Sequence, residues 1–169
     1  KMLEVSGNYK IEMLYGPPYR KNISLARILN HRAVAKRFQR RISLEQCPDC
    51  ILVSMPTLEL ARVAVNYGAK NGIGVYVDLR DMWPDIFLDL APKPLEPFAR
   101  LLLFPLFRGL ATTLRKARGI WGITPEFVQW GQKIAGRGPA ETDQSFWLAY
   151  DENIQEVDRS KGDAFWKSH

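Results

Sequence analysis

The sequence has few cysteines and histidines and no long apolar run. Its 169 residues include 2 cysteines and 2 histidines, and 2 cysteines are too few for the disulfide framework of a small secreted domain. No uninterrupted apolar stretch reaches the roughly 18–20 residues that cross a bilayer, and no signal-peptide pattern opens the sequence. These absences favour a cytoplasmic protein, either soluble or held peripherally at a membrane.

Motifs of several large enzyme classes are also missing. The sequence has no P-loop, no glycine-rich dinucleotide fingerprint and no serine nucleophile elbow. Cys47 and Cys50 have the spacing of half a zinc or redox site, but zinc requires two more ligands and the only histidines are His31 and His169. A redox motif belongs at a helix N-terminus, whereas this pair precedes a strand pattern. We therefore predict no metal site.

Positive charge is in excess. The 24 lysines and arginines outnumber the 18 acidic residues, so the formal net charge is +6, which favours an anionic partner. Lipid headgroups, a phosphorylated substrate and nucleic acid all qualify by charge. We rank nucleic acid last and expect none to bind, because no RNA-binding signature or helix-turn-helix pattern accompanies the basic residues.

Strand and helix patterns alternate along the chain and predict an α/β fold. Short apolar or alternating runs predict strands at 10–15, 50–55, 73–79, 120–123 and 145–150. Helices are predicted to begin near Ser24, Thr57 and Thr124, which are favourable capping residues. The order predicts an open, mostly parallel Rossmann-like sheet with helices on both faces, in which the strand at 50–55 is buried.

The run from Val75 to Asp85 ends a strand pattern in three carboxylates, an arginine, a tryptophan and a proline. In an open α/β sheet, ligands bind where parallel strands end. We expect Arg80 and Asp81 to face a sugar or phosphate there, with Asp78 needing a partner because it lies inside the strand pattern. A purely structural alternative remains, in which the carboxylates cap helices and Trp83 covers the core.

These residues carry a family resemblance. Asp78-x-Arg80-Asp81-x-Trp83-Pro84, followed by a proline-rich break and a long basic and apolar helix, resembles the N-terminal half of family-4 retaining glycosyltransferases. The nearest subgroup is the bacterial WbuB-like branch, which acts in O-antigen and capsule synthesis. Supporting pieces are the Ser54-x-Pro56 turn, the basic loop at 18–22 and Ile123-Thr124-Pro125. The resemblance covers roughly Tyr9 to Tyr150.

The resemblance implies one half of a GT-B enzyme, in which two Rossmann-like domains enclose a cleft. Residues 1–150 are then the acceptor-binding domain, and 151–169 is a polar segment leading toward a C-terminal domain missing from this sequence. That domain binds the nucleotide-sugar donor, and no further cofactor is implied. The sugar passes to a lipid-linked (polyprenyl diphosphate) glycan acceptor in surface polysaccharide synthesis, on the inner face of the cell membrane. The fragment alone is expected to be inactive.

The resemblance also implies roles for residues. Asp81 and Arg80 become the candidate catalytic residues, with Arg80 standing where many relatives carry histidine. The candidate acceptor-binding residues are Asp78, Tyr19, Arg20, Lys21 and Trp83.

The apolar segment from Leu95 to Arg118 is the candidate membrane contact. We expect Leu103, Phe104, Phe107 and Arg108 to reach an anionic membrane surface, and Pro105 and Gly109 to bend or break the helix. A buried crossover helix is the alternative. The basic face of the helix after Ser24 is either solvated or attracts anionic groups. A non-catalytic basic α/β module that docks an anionic membrane or partner is the alternative function.

Overall fold

The computed structural model describes residues 2–7, 9–21, 24–89 and 91–148. Its strands are β1 Met2–Ser6, β2 Tyr9–Glu12, β3 Cys50–Ser54, β4 Gly74–Leu79, β5 Gly119–Gly122 and β6 Gln144–Ser145. Its helices are α1 Leu25–Ile42, α2 Leu58–Asn71, α3 Ile86–Asp89, α4 Glu96–Lys116 and α5 Pro125–Ala135, with a 3-10 turn at Lys93–Leu95. The predicted polar segment at 151–169 lies outside the described residues.

A four-stranded parallel sheet forms the centre of the fold. Its strands are ordered β3-β4-β5-β6, and all three pairings are parallel. The prediction of an α/β fold with an open, mostly parallel sheet flanked by helices is confirmed. The strand predicted at 10–15 is instead β2, which pairs antiparallel with β1 in a separate hairpin. Of the described residues in the strand predicted at 145–150, only Ser145 belongs to a strand, β6. Residues 149 and 150 of that prediction lie outside the described residues.

Local signals place the helices where the sequence predicts them. The Ser24 hydroxyl accepts a hydrogen bond from the Arg27 amide at 3.2 Å and caps α1. Gly72 ends α2 in the left-handed conformation with φ of 70°, which glycine adopts without steric cost. Pro125 opens α5 at the first helical position. A backbone N–H at this position has no acceptor within the helix, so the helix loses no hydrogen bond through proline.

Helices α2 and α5 contact the same face of the sheet. A Cβ on Gly68 of α2 would lie 2.3 Å from Val75, and a Cβ on Gly131 of α5 would lie 2.6 Å from Leu79. Val75 and Leu79 are four residues apart in β4, so they point to one face. This arrangement follows from the strand order, because each strand from β3 to β6 lies beside the one before it in the chain. Right-handed connections between such strands all place their helices on the same face of the sheet.

The opposite face carries Tyr76, Asp78 and Trp121. The Tyr76 and Trp121 rings lie 5.0 Å apart, and Phe146 contacts Trp121 at 4.9 Å. Leu52 of β3 is 54% exposed on this side.

The sequence prediction that the strand at 50–55 is buried is wrong. β3 is an edge strand of the four-stranded sheet, and Val53 is its one buried residue. In α1, Leu25 and Leu29 are largely exposed.

Helix α4 runs without a break through Pro105 and Gly109 for 21 residues, so of the bend or break expected at these residues, the break is wrong. Its second half buries Leu110, Thr113 and Leu114 in the core beside Ile120 and Val77. None of the described helices has the length and apolar content needed to cross a membrane.

Candidate functional site

A polar cluster lies at the carboxyl ends of β3 and β4. Ser54 and Asp78 are paired in the parallel register of these strands. The Ser54 hydroxyl donates to Oδ2 of Asp78 at 2.9 Å, and Nε of Arg80 donates to the same oxygen at 2.7 Å. Asp78 is buried, whereas the Arg80 side chain is 56% exposed. The carboxylate therefore fixes the guanidinium while leaving its outer nitrogens accessible to a ligand.

The other residues of this run have separate environments. Asp81 is half-buried and makes no hydrogen bond or ion pair with any described residue. Trp83 packs against the core and meets Phe87 edge-on at 5.6 Å, so it supports the fold as its structural interpretation predicts. Asp85 accepts a hydrogen bond from the Trp130 indole, which ties the loop after β4 to α5.

The predicted basic loop lies directly before α1. Tyr19, Arg20 and Lys21 are exposed, and the Lys21 carbonyl accepts from the Ser24 hydroxyl at 2.8 Å. No hydrogen bond or ion pair among the described residues joins these side chains to the Asp78 cluster. The structure thus brings Ser54, Asp78 and Arg80 together and leaves the loop as a separate exposed element.

An exposed apolar surface, here called the apolar rim, is formed by the first halves of α1 and α4. It consists of Leu25, Leu29, Phe98, Leu101 and Leu102, of which Leu102 is 79% exposed. Leu25 and Leu103 line one crevice, so the two helices meet there. Because α1 and α4 run antiparallel to the strands that follow them, their N-terminal halves lie at the carboxyl edge of the sheet.

The predicted membrane residues divide into two groups. Phe104 and Arg108 are exposed, whereas Leu103 and Phe107 are half-buried and line crevices. The predicted membrane segment Leu95 to Arg118 contains three members of the apolar rim, Phe98, Leu101 and Leu102. The other two, Leu25 and Leu29, were not predicted as membrane contacts, because their nearness to α4 arises from tertiary packing and not from a local pattern.

A crevice at the same edge of the sheet is lined in part by His31 of α1. Nδ1 of His31 lies 3.8 Å from Oε2 of Glu59, and Nε of Arg27 donates to Nε2 of His31 at 3.4 Å. Burial lowers the pKa of His31, partly offset by Glu59 and reinforced by Arg27. The imidazole is therefore neutral at physiological pH, with Nδ1 protonated toward the carboxylate.

No family model, curated protein or solved structure matches the chain. The candidate site is therefore argued from its own geometry.

A larger cleft of about 860 Å³ lies between α4 and α5. Its ionisable lining residues carry both signs and are Asp85, Lys93, Glu96, Arg100 and Lys133. Glu96 and Arg100 pair at 3.0 Å one turn apart on α4, which leaves the lysines as its unpaired cations among the described residues. An open, mixed-charge cleft of this kind is less specific than the Asp78 cluster.

The cysteine pair is remote from this edge of the sheet. Cys47 and Cys50 are exposed at the start of β3, and Sγ of Cys47 lies 3.7 Å from the Tyr67 hydroxyl. No group of three or more histidine, cysteine or acidic side chains in the described residues is arranged to hold a metal ion.

Proposed function

We propose that the chain is the acceptor-binding domain of a retaining glycosyltransferase. The enzyme transfers a sugar from a nucleotide-sugar to a lipid-linked (polyprenyl diphosphate) glycan acceptor at the inner face of the cell membrane. The observation that carries the proposal is the position of two surfaces at one edge of the sheet. The apolar rim and the Ser54–Asp78–Arg80 cluster both lie where the parallel strands end.

The apolar rim suits the boundary between headgroups and acyl chains. Leucines and phenylalanines that enter this layer bury apolar area, while nearby cations pair with lipid phosphates. Arg108 of α4 and the exposed Arg20 and Lys21 before α1 supply such cations. This placement holds the carboxyl edge of the sheet against the membrane, where the diphosphate of a lipid carrier lies.

The Asp78 cluster suits recognition of that acceptor. Arg80 presents a planar fork that binds phosphate oxygens bidentately, and Asp78 restricts its orientation. Asp81 carries an unpaired carboxylate beside it, available to a sugar hydroxyl. The chemical step then depends on holding the acceptor hydroxyl near the donor sugar in a cleft from which water is excluded. A second domain, which binds the nucleotide-sugar, forms the other wall.

A second candidate function is a non-catalytic basic module that docks an anionic membrane. The apolar rim and the net charge of +6 favour it equally. The membrane-docking function differs from the acceptor-binding function in that it assigns no role to Arg80, Asp78 and Asp81.

Vesicle binding separates the two functions. Anionic vesicles are prepared with and without a polyprenyl diphosphate-linked saccharide, and binding of the chain is measured by co-sedimentation. We expect the saccharide lipid to tighten binding about tenfold, which corresponds to one hydrogen bond to a charged group. Arg80→Ala removes this gain and leaves binding to plain vesicles unchanged.

Arg32→Ala is the matched control, because Arg32 is an exposed arginine of α1 away from the cluster. It should retain the acceptor-dependent gain. If wild type binds both kinds of vesicle equally, the acceptor-binding proposal fails and the membrane-docking module is favoured.

A further inference from the structure

The crevice between α1 and α4 has the size and lining of a hydrocarbon site. It measures about 300 Å³ and lies between the start of α1, the first turn of α2, the loop after β4 and α4. Its apolar walls are formed by Leu25, Ile28, Trp83, Phe87, Leu103 and Leu106. Ser24, Arg27, His31 and Glu59 are the polar residues of the same lining.

We propose that this crevice binds the first isoprenoid units of the lipid carrier, an inference that rests on the proposed function. Apolar cavities of about 150 Å³ take up one benzene-sized molecule, so this volume holds about two five-carbon units. One turn of a partner helix, about 10 Å across and about 5.4 Å long, fills about 420 Å³ and exceeds the volume of the crevice. The occupant is therefore a chain and not a folded protein element.

The crevice opens onto the apolar rim. Leu25 belongs to both surfaces, since it lines the crevice and is largely exposed. Leu25 therefore gives a hydrocarbon chain an apolar path from the rim into the crevice, although Arg27 also lines the crevice. The edge-to-face pair of Trp83 and Phe87 supplies a broad aromatic wall, which suits a methyl-branched, unsaturated chain better than a thin saturated one.

His31 and Glu59 limit how far the chain extends. Oε2 of Glu59 is shielded from solvent and accepts no hydrogen bond from the described residues. At 3.8 Å, Nδ1 of His31 is too far for a hydrogen bond to it. Hydrocarbon packed over these groups would remove their remaining hydration, so the chain is confined to the part lined by Trp83 and the leucines.

Calorimetric titration of the chain with farnesyl monophosphate tests the inference. We expect Ile28→Trp, which fills the crevice, to weaken binding at least about tenfold, since loss of burial for two CH₂ groups already gives that factor. Leu44→Trp is the matched control, because Leu44 is exposed and follows α1 at the opposite edge of the sheet, and it should leave the affinity unchanged. Trp83→Phe should abolish the change in tryptophan emission that accompanies binding.

Two results would overturn the inference: equal binding by Ile28→Trp and wild type, or equal affinity for dodecyl phosphate and farnesyl monophosphate. If Ile28→Trp does not fold, as judged by thermal unfolding, the smaller substitution Ile28→Phe replaces it. Failure of the proposed function is recognised separately. In that case Arg80→Ala has no effect on saccharide-lipid vesicles, whereas the farnesyl titration still depends on Ile28.

Discussion

Asp143 is the residue that joins the last strand to the rest of the sheet. Its side chain is 2% exposed and accepts hydrogen bonds from the Ile120 amide at 2.7 Å and from Arg137 at 2.6 Å. Gln132 and the Ala140 amide donate to its other oxygen. One carboxylate thus connects β5, α5 and the loop before β6.

We expect Asp143→Ala to lower the free energy of unfolding by about 2–4 kcal/mol, because it leaves Arg137, Gln132 and two backbone amides without their acceptor. Urea unfolding near neutral pH measures the loss. Asp49→Ala, at an exposed aspartate, is the control and should change stability by less than about 0.5 kcal/mol. A loss for Asp143→Ala no larger than the control's would contradict the structural role.

The pKa of Asp143 also predicts how the stability of the fold depends on pH. Burial acts to raise the pKa of Asp143, but the hydrogen bonds from Arg137, Ile120, Gln132 and Ala140 outweigh it and lower the pKa. A lowered pKa means that the stabilisation is complete above the unfolded-state value of about 3.9 and is lost as the pH falls through the folded value. The stability difference between wild type and Asp143→Asn should therefore shrink at acid pH. A constant difference would argue against a charged Asp143.

Single residues also mark what the sequence predicts and what it does not. Asp78 was predicted to need a partner, and Arg80 is that partner, because two residues on one strand end are close by covalent geometry. The sequence predicted no functional or structural role for His31 or Asp143. Their partners Glu59 and Ile120 lie 28 and 23 residues away, and that proximity arises from packing and not from any local pattern.

At the scale of the element, α4 has two different halves. From Arg108 onward it is amphipathic, with Leu110 and Leu114 inward and Arg115 outward. Before that point, Phe98, Leu101 and Leu102 are largely exposed although their side chains are apolar. Exposed apolar surface of this kind is typical of interaction sites.

We expect Leu102→Glu to reduce binding to plain anionic vesicles about tenfold, because it places a carboxylate where the apolar rim meets the membrane. Leu44→Glu is the matched control. Leu44 is equally exposed but follows α1 at the opposite edge of the sheet, so its substitution should have little effect. Co-sedimentation measures both, and equal losses would show that the rim is not the anchor. Leu102 is preferred to Leu103, whose half-buried side chain lines the crevice.

At the scale of the molecule, the sequence predicts the order of strands and helices but not which strands lie at the edges. β3 and β4 have similar apolar runs, yet β4 is central and β3 is peripheral, because edge position depends on pairing partners and not on the run itself. The candidate site was predicted in part for a related reason. The ends of strands can be predicted from the sequence, whereas α1 and α4 come together in the apolar rim only through tertiary packing.

Strand order in this sheet also has a consequence for synthesis. Each strand from β3 to β6 pairs with the next one along the chain, so the sheet can be assembled in the direction in which a ribosome delivers it. We expect ribosome-bound chains that expose residues only through β4 to show protected amides in the β3–β4 pair by hydrogen exchange. Protection that arises only after β6 has emerged would mean that the sheet forms in one late step.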